Sequence, residues 1–252
     1  MSTVTILVGD CRDVLSEMPE RSVDAIVADP PYQQTSLAWD RWPDGWPTAV
    51  RRVLKPTGSM WVFGSLRMFT ERWSEFAGWR MAQDIVWEKH NGSSFHRDRF
   101  RRVHEQAVQF YRDDAPWADV YKGEVVTMDA KARVVRKRAG KQQHMGRLAQ
   151  DVIYVSEDGG PRIMRSVIYC RSEHGRAVHP TQKPLGIVEP LILSACPPNG
   201  VVLDPFFGSG TTGAAAQMLG RSCIGIEADP VYADMARARI NGETPLFAAA
   251  AG

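Results

Sequence analysis

Seven short apolar runs, rich in β-branched residues and bounded by turn formers, recur along the chain: Val4–Val8, Val23–Ala28, Ser59–Phe63, Asp84–Trp87, Gln106–Tyr111, Val201–Leu203 and Cys223–Ile226. Runs this short and continuous predict buried strands. Between them, apolar positions return at helical spacing over Trp46–Leu54, Leu66–Phe76, Ile187–Ala195, Thr211–Leu219 and Pro230–Ile240, each followed within a few residues by Gly, Pro or Asn. Strands alternating with helices predict a mostly parallel sheet with helices on both faces. From 112 to 176 the rhythm is lost in a polar, charged, Gly-containing stretch. It reads as an insertion dividing one domain into 1–111 and 177–252. The alanine-rich end after Asn241 reads as a frayed tail.

Composition adds limits. At 252 residues, 44% hydrophobic and 24% charged, the chain is long enough for one large core but short for two independent domains. Cys11, Cys170, Cys196 and Cys223 stand singly, without the paired spacing of a zinc or redox site, and no two histidines have the spacing of a metal pair. The expectation is a reduced, cytoplasmic protein without a metal, and the lack of a long apolar run argues against a membrane.

A net charge of +2 does not by itself mark a nucleic-acid partner. Its placement is more telling. Between Lys131 and Arg147 there are seven basic residues (Lys131, Arg133, Arg136, Lys137, Arg138, Lys141, Arg147) and no acid. Arg97, Arg99, Arg101 and Arg102 form a second cluster, broken only by Asp98. Dispersed basic side chains suit phosphates, and the interleaved Gln142, Gln143 and His144 suit base edges. Taken alone, such a run is more often a solvated loop.

The strand Val201–Leu203 runs into Asp204 and then into Gly208-Ser209-Gly210, which opens the helix from Thr211. Glycines there let the backbone approach a ligand, and the helix start offers free N–H groups. The next strand ends at Glu227, whose carboxylate can accept from the two hydroxyls of a ribose. Gly208, Gly210 and Gly213 with a downstream acid fit a nicotinamide dinucleotide as well as S-adenosylmethionine, so this turn names a nucleoside cofactor without choosing between them.

The strand Val23–Ala28 delivers Asp29-Pro30-Pro31-Tyr32 at its carboxyl end, where open α/β sheets hold their ligands. The prolines lock the backbone and leave its carbonyls free to accept. Asp29 can accept from an amine, and Tyr32 can stack on a planar base. The amine of adenine or cytosine is a poor nucleophile because its lone pair is delocalised into the ring. Acceptors on both N–H groups, Asp29 and the Pro30 carbonyl, oppose that delocalisation and permit in-line attack on a sulfonium methyl.

With both motifs in this order, the chain resembles the β group of DNA amino-methyltransferases, whose catalytic tetrad precedes the cofactor turn. The resemblance covers most of the chain and implies S-adenosylmethionine as cofactor, double-stranded DNA as partner and a flipped-out target base. It implies a Rossmann-like methyltransferase fold, a seven-stranded mostly parallel sheet with helices on both faces and a circularly permuted motif order. Asp204-Pro205-Phe206-Phe207-Gly208-Ser209-Gly210-Thr211-Thr212 is similar to the family's cofactor loop, which adds Asp204, Phe206, Ser209 and Thr211 to the cofactor set. Gly9-Asp10-Cys11 resembles the strand end that receives the cofactor's adenine, and His179-Pro180-Thr181-Gln182-Lys183 the segment beside its methionine end. Asp10, Cys11, Thr181, Lys183 and Asp29 are carried over on that basis. Asp rather than Ser at the head of the tetrad inclines the resemblance to adenine N6, with cytosine N4 the nearest alternative. Trp87-Glu88-Lys89 and His104-Glu105-Gln106 resemble strands flanking the DNA cleft, without individual roles. Family relatives are often homodimers, although no residue here marks an interface.

Overall fold

A computed structural model of the chain describes residues 2–33, 37, 39–93, 97–140, 142–143, 146–147, 149–173 and 182–242. The chain opens with β1 (Val4–Val8), whose end leads through Gly9 and Asp10 into α1 (Cys11–Glu17). Asp10 caps this helix by accepting from the Arg12 backbone N–H at 2.9 Å. A helix this short offers too few periodic positions for the sequence to reveal it. β2 (Val23–Ala28), α2 (Trp46–Val53), β3 (Leu54–Gly64) and α3 (Leu66–Arg72) follow. The helix expected over Leu66–Phe76 changes at Trp73 to a 3₁₀ turn, Trp73–Phe76, which swings Phe76 into the core. β4 (Trp79–Ser93) and β5 (Arg102–Arg112) form a long antiparallel hairpin.

Glu124–Arg165 is a separate compact unit. It contains β6 (Val126–Thr127), β7 (Arg133–Lys137), β8 (Gln142–Gln143), β9 (Gly146–Arg147), β10 (Val152–Ser156) and β11 (Arg162–Ile163). These pair as three antiparallel ribbons, β6 with β11, β7 with β10 and β8 with β9. Val134, Ile153 and Val155 are more than half exposed, so the β7–β10 ribbon has no buried face of its own.

The remainder of the larger unit comprises β12 (Val167–Tyr169), α4 (Leu185–Ala195), β13 (Val201–Asp204), α5 (Thr211–Met218), β14 (Ser222–Glu227) and α6 (Pro230–Ile240). Its sheet runs β1-β14-β13-β2-β3-β5-β4-β12. Eight strands replace the expected seven. The addition is β12, which pairs in parallel with the outer edge of β4. Three residues in a polar stretch show no periodic signal, and pairing with β4 supplies their backbone partners instead. β5 alone runs against the others, as the family resemblance implied for one strand.

Both sheet faces are covered. Met60 and Val62 of β3 join Trp46, Val50, Phe69 and Phe76 in one apolar cluster. Trp61, pointing the other way, donates its Nε1–H to Ser194 Oγ of α4 at 3.1 Å. β2, central and parallel to both neighbours, is apolar on both sides for this reason. Among the described residues, no helix is long and apolar enough to cross a membrane.

Candidate active site

The parallel strands β1, β2, β13 and β14 all end at one edge of the sheet, and there the separate sequence motifs converge. Asp10, Cys11, Asp29, Pro31, Lys183, Asp204, Phe206, Gly208, Ser209, Thr211 and Glu227 all line one cavity of about 300 Å³. Gly210 does not line it. Its φ of 75° turns the chain into α5, a conformation that favours glycine. Pro30 is buried behind the wall, and Tyr32 borders a second cavity of about 110 Å³ with Gln33 and Arg72. Thr181 lies outside the described residues.

The glycine turn is held from below and from the side. The buried Arg239 of α6 donates to Ser209 O, Ser209 Oγ and Thr211 Oγ1 at 2.9, 3.0 and 3.1 Å. Glu227 accepts from the backbone N–H groups of Gly208 and Asp229 at 2.7 and 2.9 Å, which fixes its carboxylate at the cavity wall. Asp10 is pulled below the ordinary carboxylate range by its hydrogen bonds to Arg12. Asp204 is 5% exposed, and burial pushes it up to about 7 despite the hydrogen bonds it accepts from Thr212 and the Phe206 N–H.

At the other end Lys183 bridges two acids. Its Nζ lies 2.6 Å from Asp29 Oδ2 and 3.2 Å from Glu105 Oε1. Glu105, 4% exposed on β5, also accepts from Lys89 Nζ at 2.7 Å and from the Tyr32 hydroxyl at 3.2 Å. Burial alone would raise Glu105, but the two lysines outweigh it and hold it near 2. Burial likewise opposes the charge on Lys183, and Asp29 and Glu105 outweigh it, so the ammonium persists. Asp29 is raised by burial and by Glu105, against the pull of Lys183. Tyr32 is raised by burial and by Glu105, so it stays a neutral phenol. Two acids and two bases thus balance under the tetrad. Glu105 and Lys89 had no assigned role in the sequence; both sit in polar stretches of their strands, where no local pattern marks a buried charge.

The cavity wall is acidic. Asp10, Asp29, Asp204, Glu227 and Asp229 face it, against Arg41 and Lys183; Lys183 is paired with Asp29 and Arg12 with Asp10, and burial raises Asp204 to about 7. A dinucleotide would bring a pyrophosphate to this wall, whereas a sulfonium nucleoside brings positive charge that these carboxylates favour. The residues present fit S-adenosylmethionine, with Glu227 able to accept from ribose hydroxyls and Asp10 from an adenine amine. Trp42 and Trp46 pack in the core, while Trp39 lines the cavity.

None of the described residues of the basic clusters lines this cavity. Arg97, Arg99 and Arg101 are exposed between β4 and β5 and Arg102 at the start of β5, and Arg99 pairs with Asp98. Lys131, Arg133, Arg136, Lys137 and Arg138 are exposed on the smaller unit, where Arg133 lies over the Tyr154 ring. Lys141 and His144 lie outside the described residues. For Gln142, Gln143 and Arg147 the structure describes only the strand backbone.

Comparisons with known proteins agree with this geometry. Residues 23–238 match the model of the N6/N4 methyltransferase family, described as DNA methylase. The Type II methyltransferase M.HinfI of Haemophilus influenzae is 32% identical over 276 aligned residues, spanning 96% of this chain and 69% of that protein. The crystal structure of an M1.HpyAVI–SAM complex superposes with a TM-score of 0.62 at 26% identity, covering 94% of this chain and all of that one. The cytosine-N4-specific PvuII DNA methyltransferase shares the fold, with a TM-score of 0.65 at 18% identity, covering 95% of this chain and 86% of that one. Acidic cavity, tetrad and cofactor turn therefore sit in a Rossmann-like methyltransferase fold, and the chain belongs to the N6/N4 family of DNA methylases, which take their methyl group from S-adenosylmethionine.

Proposed function

We propose that the chain methylates N6 of a flipped-out adenine in duplex DNA, with Asp29-Pro30-Pro31-Tyr32 as its catalytic segment. The observation that carries this reading is the position of Asp29, at the end of β2 and in the wall of the acidic cavity. S-adenosylmethionine, when bound, supplies an electrophilic methyl on a cationic sulfur. Asp29 and the Pro30 carbonyl each accept one N–H of the target amine, which localises the nitrogen lone pair for attack. A C–N bond forms as the S–C bond breaks, and the amine then loses one proton to water. Lys183 favours the ionised form of Asp29 against burial and holds it in place, Glu105 balances Lys183, and the Tyr32 ring stacks on the base. Asp10 and Glu227 hold the nucleoside end of the cofactor, while Asp204 faces its charged end.

In this reading the arginines of the β4–β5 turn and the basic residues from Lys131 to Arg147 contact phosphates and bases. Asp at the head of the tetrad favours adenine through the family resemblance. Nucleoside mass spectrometry of unmethylated genomic DNA incubated with the protein and S-adenosylmethionine tests the base. N6-methyladenine is expected; N4-methylcytosine alone overturns the adenine assignment. An Asp29→Ala protein as active as the wild type overturns the mechanism.

A further inference from the structure

β2 and β3 run in parallel, β5 runs against β3, and β4 runs against β5. The end of β4 and the start of β5 therefore lie at the same sheet edge as Asp29. The turn between them carries Phe100, which is 100% exposed, the most exposed large apolar side chain among the described residues. It stands amid Arg97, Arg99, Arg101 and Arg102, and the Arg101 stem lies so close over Gly92 that a Cβ there would meet it at 2.1 Å. An aromatic ring left wholly in water gains nothing for folding, and the neighbouring arginines, of which Arg99 is paired with Asp98, suit an anionic partner.

We propose that residues 97–102 dock on duplex DNA and that Phe100 enters the base stack at the position vacated by the target nucleotide. The proposal rests on the methylation reading above and adds to it the residue that holds the duplex open. Glu105, within the Asp29–Lys183 network, follows Phe100 by five residues, of which Arg102–Glu105 lie in β5, so the two stand at most about 17 Å apart. Arginines on either side hold the phosphates, and the ring replaces the stacking lost when the base rotates out.

The test begins by finding the methylated site with the wild-type protein on unmethylated bacteriophage DNA. Two oligonucleotide duplexes containing that site follow, one with the target base normally paired and one with it opposite an abasic position, where rotation is easier. Phe100→Ala should methylate the paired duplex at least tenfold more slowly than wild type, bind it within about threefold by fluorescence anisotropy, and recover to within about threefold on the abasic duplex. Phe100→Trp should retain most of the rate on both. Wild-type rates for Phe100→Ala on paired DNA, or an equal loss on both duplexes, would overturn the wedge role. A wild-type protein that methylates no DNA would fail earlier and overturn the underlying reading instead.

Discussion

Lys183 Nζ sits 2.6 Å from Asp29 Oδ2, joining the loop before α4 to the end of β2 across 154 residues of sequence. The lysine is one-tenth exposed and shares its charge with Glu105, so the proposed acceptor of the target amine is one end of a buried chain of alternating charges. The cost of burying these groups is offset only while every member keeps its partner.

That coupling determines the direction of two pH shifts. If ionised Asp29 is the active form, the rate rises with pH through its pKa, which burial and Glu105 raise and Lys183 lowers. Glu105→Gln removes a neighbouring negative charge, and the acid limb of the kcat profile is expected to move to lower pH. Lys183→Met removes the positive partner and should move that limb up, while costing about 3–5 kcal/mol of stability. Profiles that do not move would rule out electrostatic tuning of Asp29 by this network.

Asp204 should make the ligand-free protein less stable as pH rises. Its value rises from the ordinary 3.8 to about 7 on folding, chiefly through burial. The folded state therefore holds a proton that the unfolded chain has released, a benefit complete below about 4 and lost as pH climbs through about 7. The linkage is at most about 4 kcal/mol. Asp204→Asn should flatten the dependence of Tm on pH between about 4 and 7. It should also weaken S-adenosylmethionine binding by calorimetry, because the carboxylate facing the cation is gone. An unchanged pH slope would contradict the first expectation.

Gly225 in β14 is a packing requirement independent of catalysis. A Cβ there would come within 2.3 Å of the Phe207 ring, itself only 3% exposed. Gly225→Ala must displace that ring, at about 1–3 kcal/mol of stability. Phe207 belongs to the cofactor turn, so calorimetry should register weaker cofactor binding together with the lower midpoint in urea. A variant as stable as wild type would show that the ring moves freely.

Arg133, Arg136 and Lys137 on β7 are exposed, and their removal tests the DNA role of the smaller unit. If each contacts one phosphate, the triple alanine variant should flatten the slope of log affinity against log salt by about 0.9 per contact, near 3 in all. An unchanged slope would place the phosphates elsewhere.

Much of the frame was legible locally. β1, β2 and α6 occupy the predicted residues, and the other predicted elements differ mainly at their ends, because each apolar run reports burial within its own element. Longer β4 and β5 escaped notice because their hairpin ends carry exposed polar residues without an apolar run. α1 and β12 escaped because seven and three residues show too little period.

The tetrad and the glycine turn were readable because each requires unusual residues consecutively, at the end of a strand whose burial the same stretch announces. By itself the sequence therefore determined an α/β frame with two motifs at strand ends and a nucleoside cofactor, and through the family resemblance a methyltransferase. Tertiary structure decided the rest: that Lys183 and Glu105 meet Asp29 and Tyr32, that five acids line one cavity, and that the exposed Phe100 stands at the same sheet edge as Asp29. These depend on sheet order and strand direction, which bring distant residues together and which no local pattern encodes.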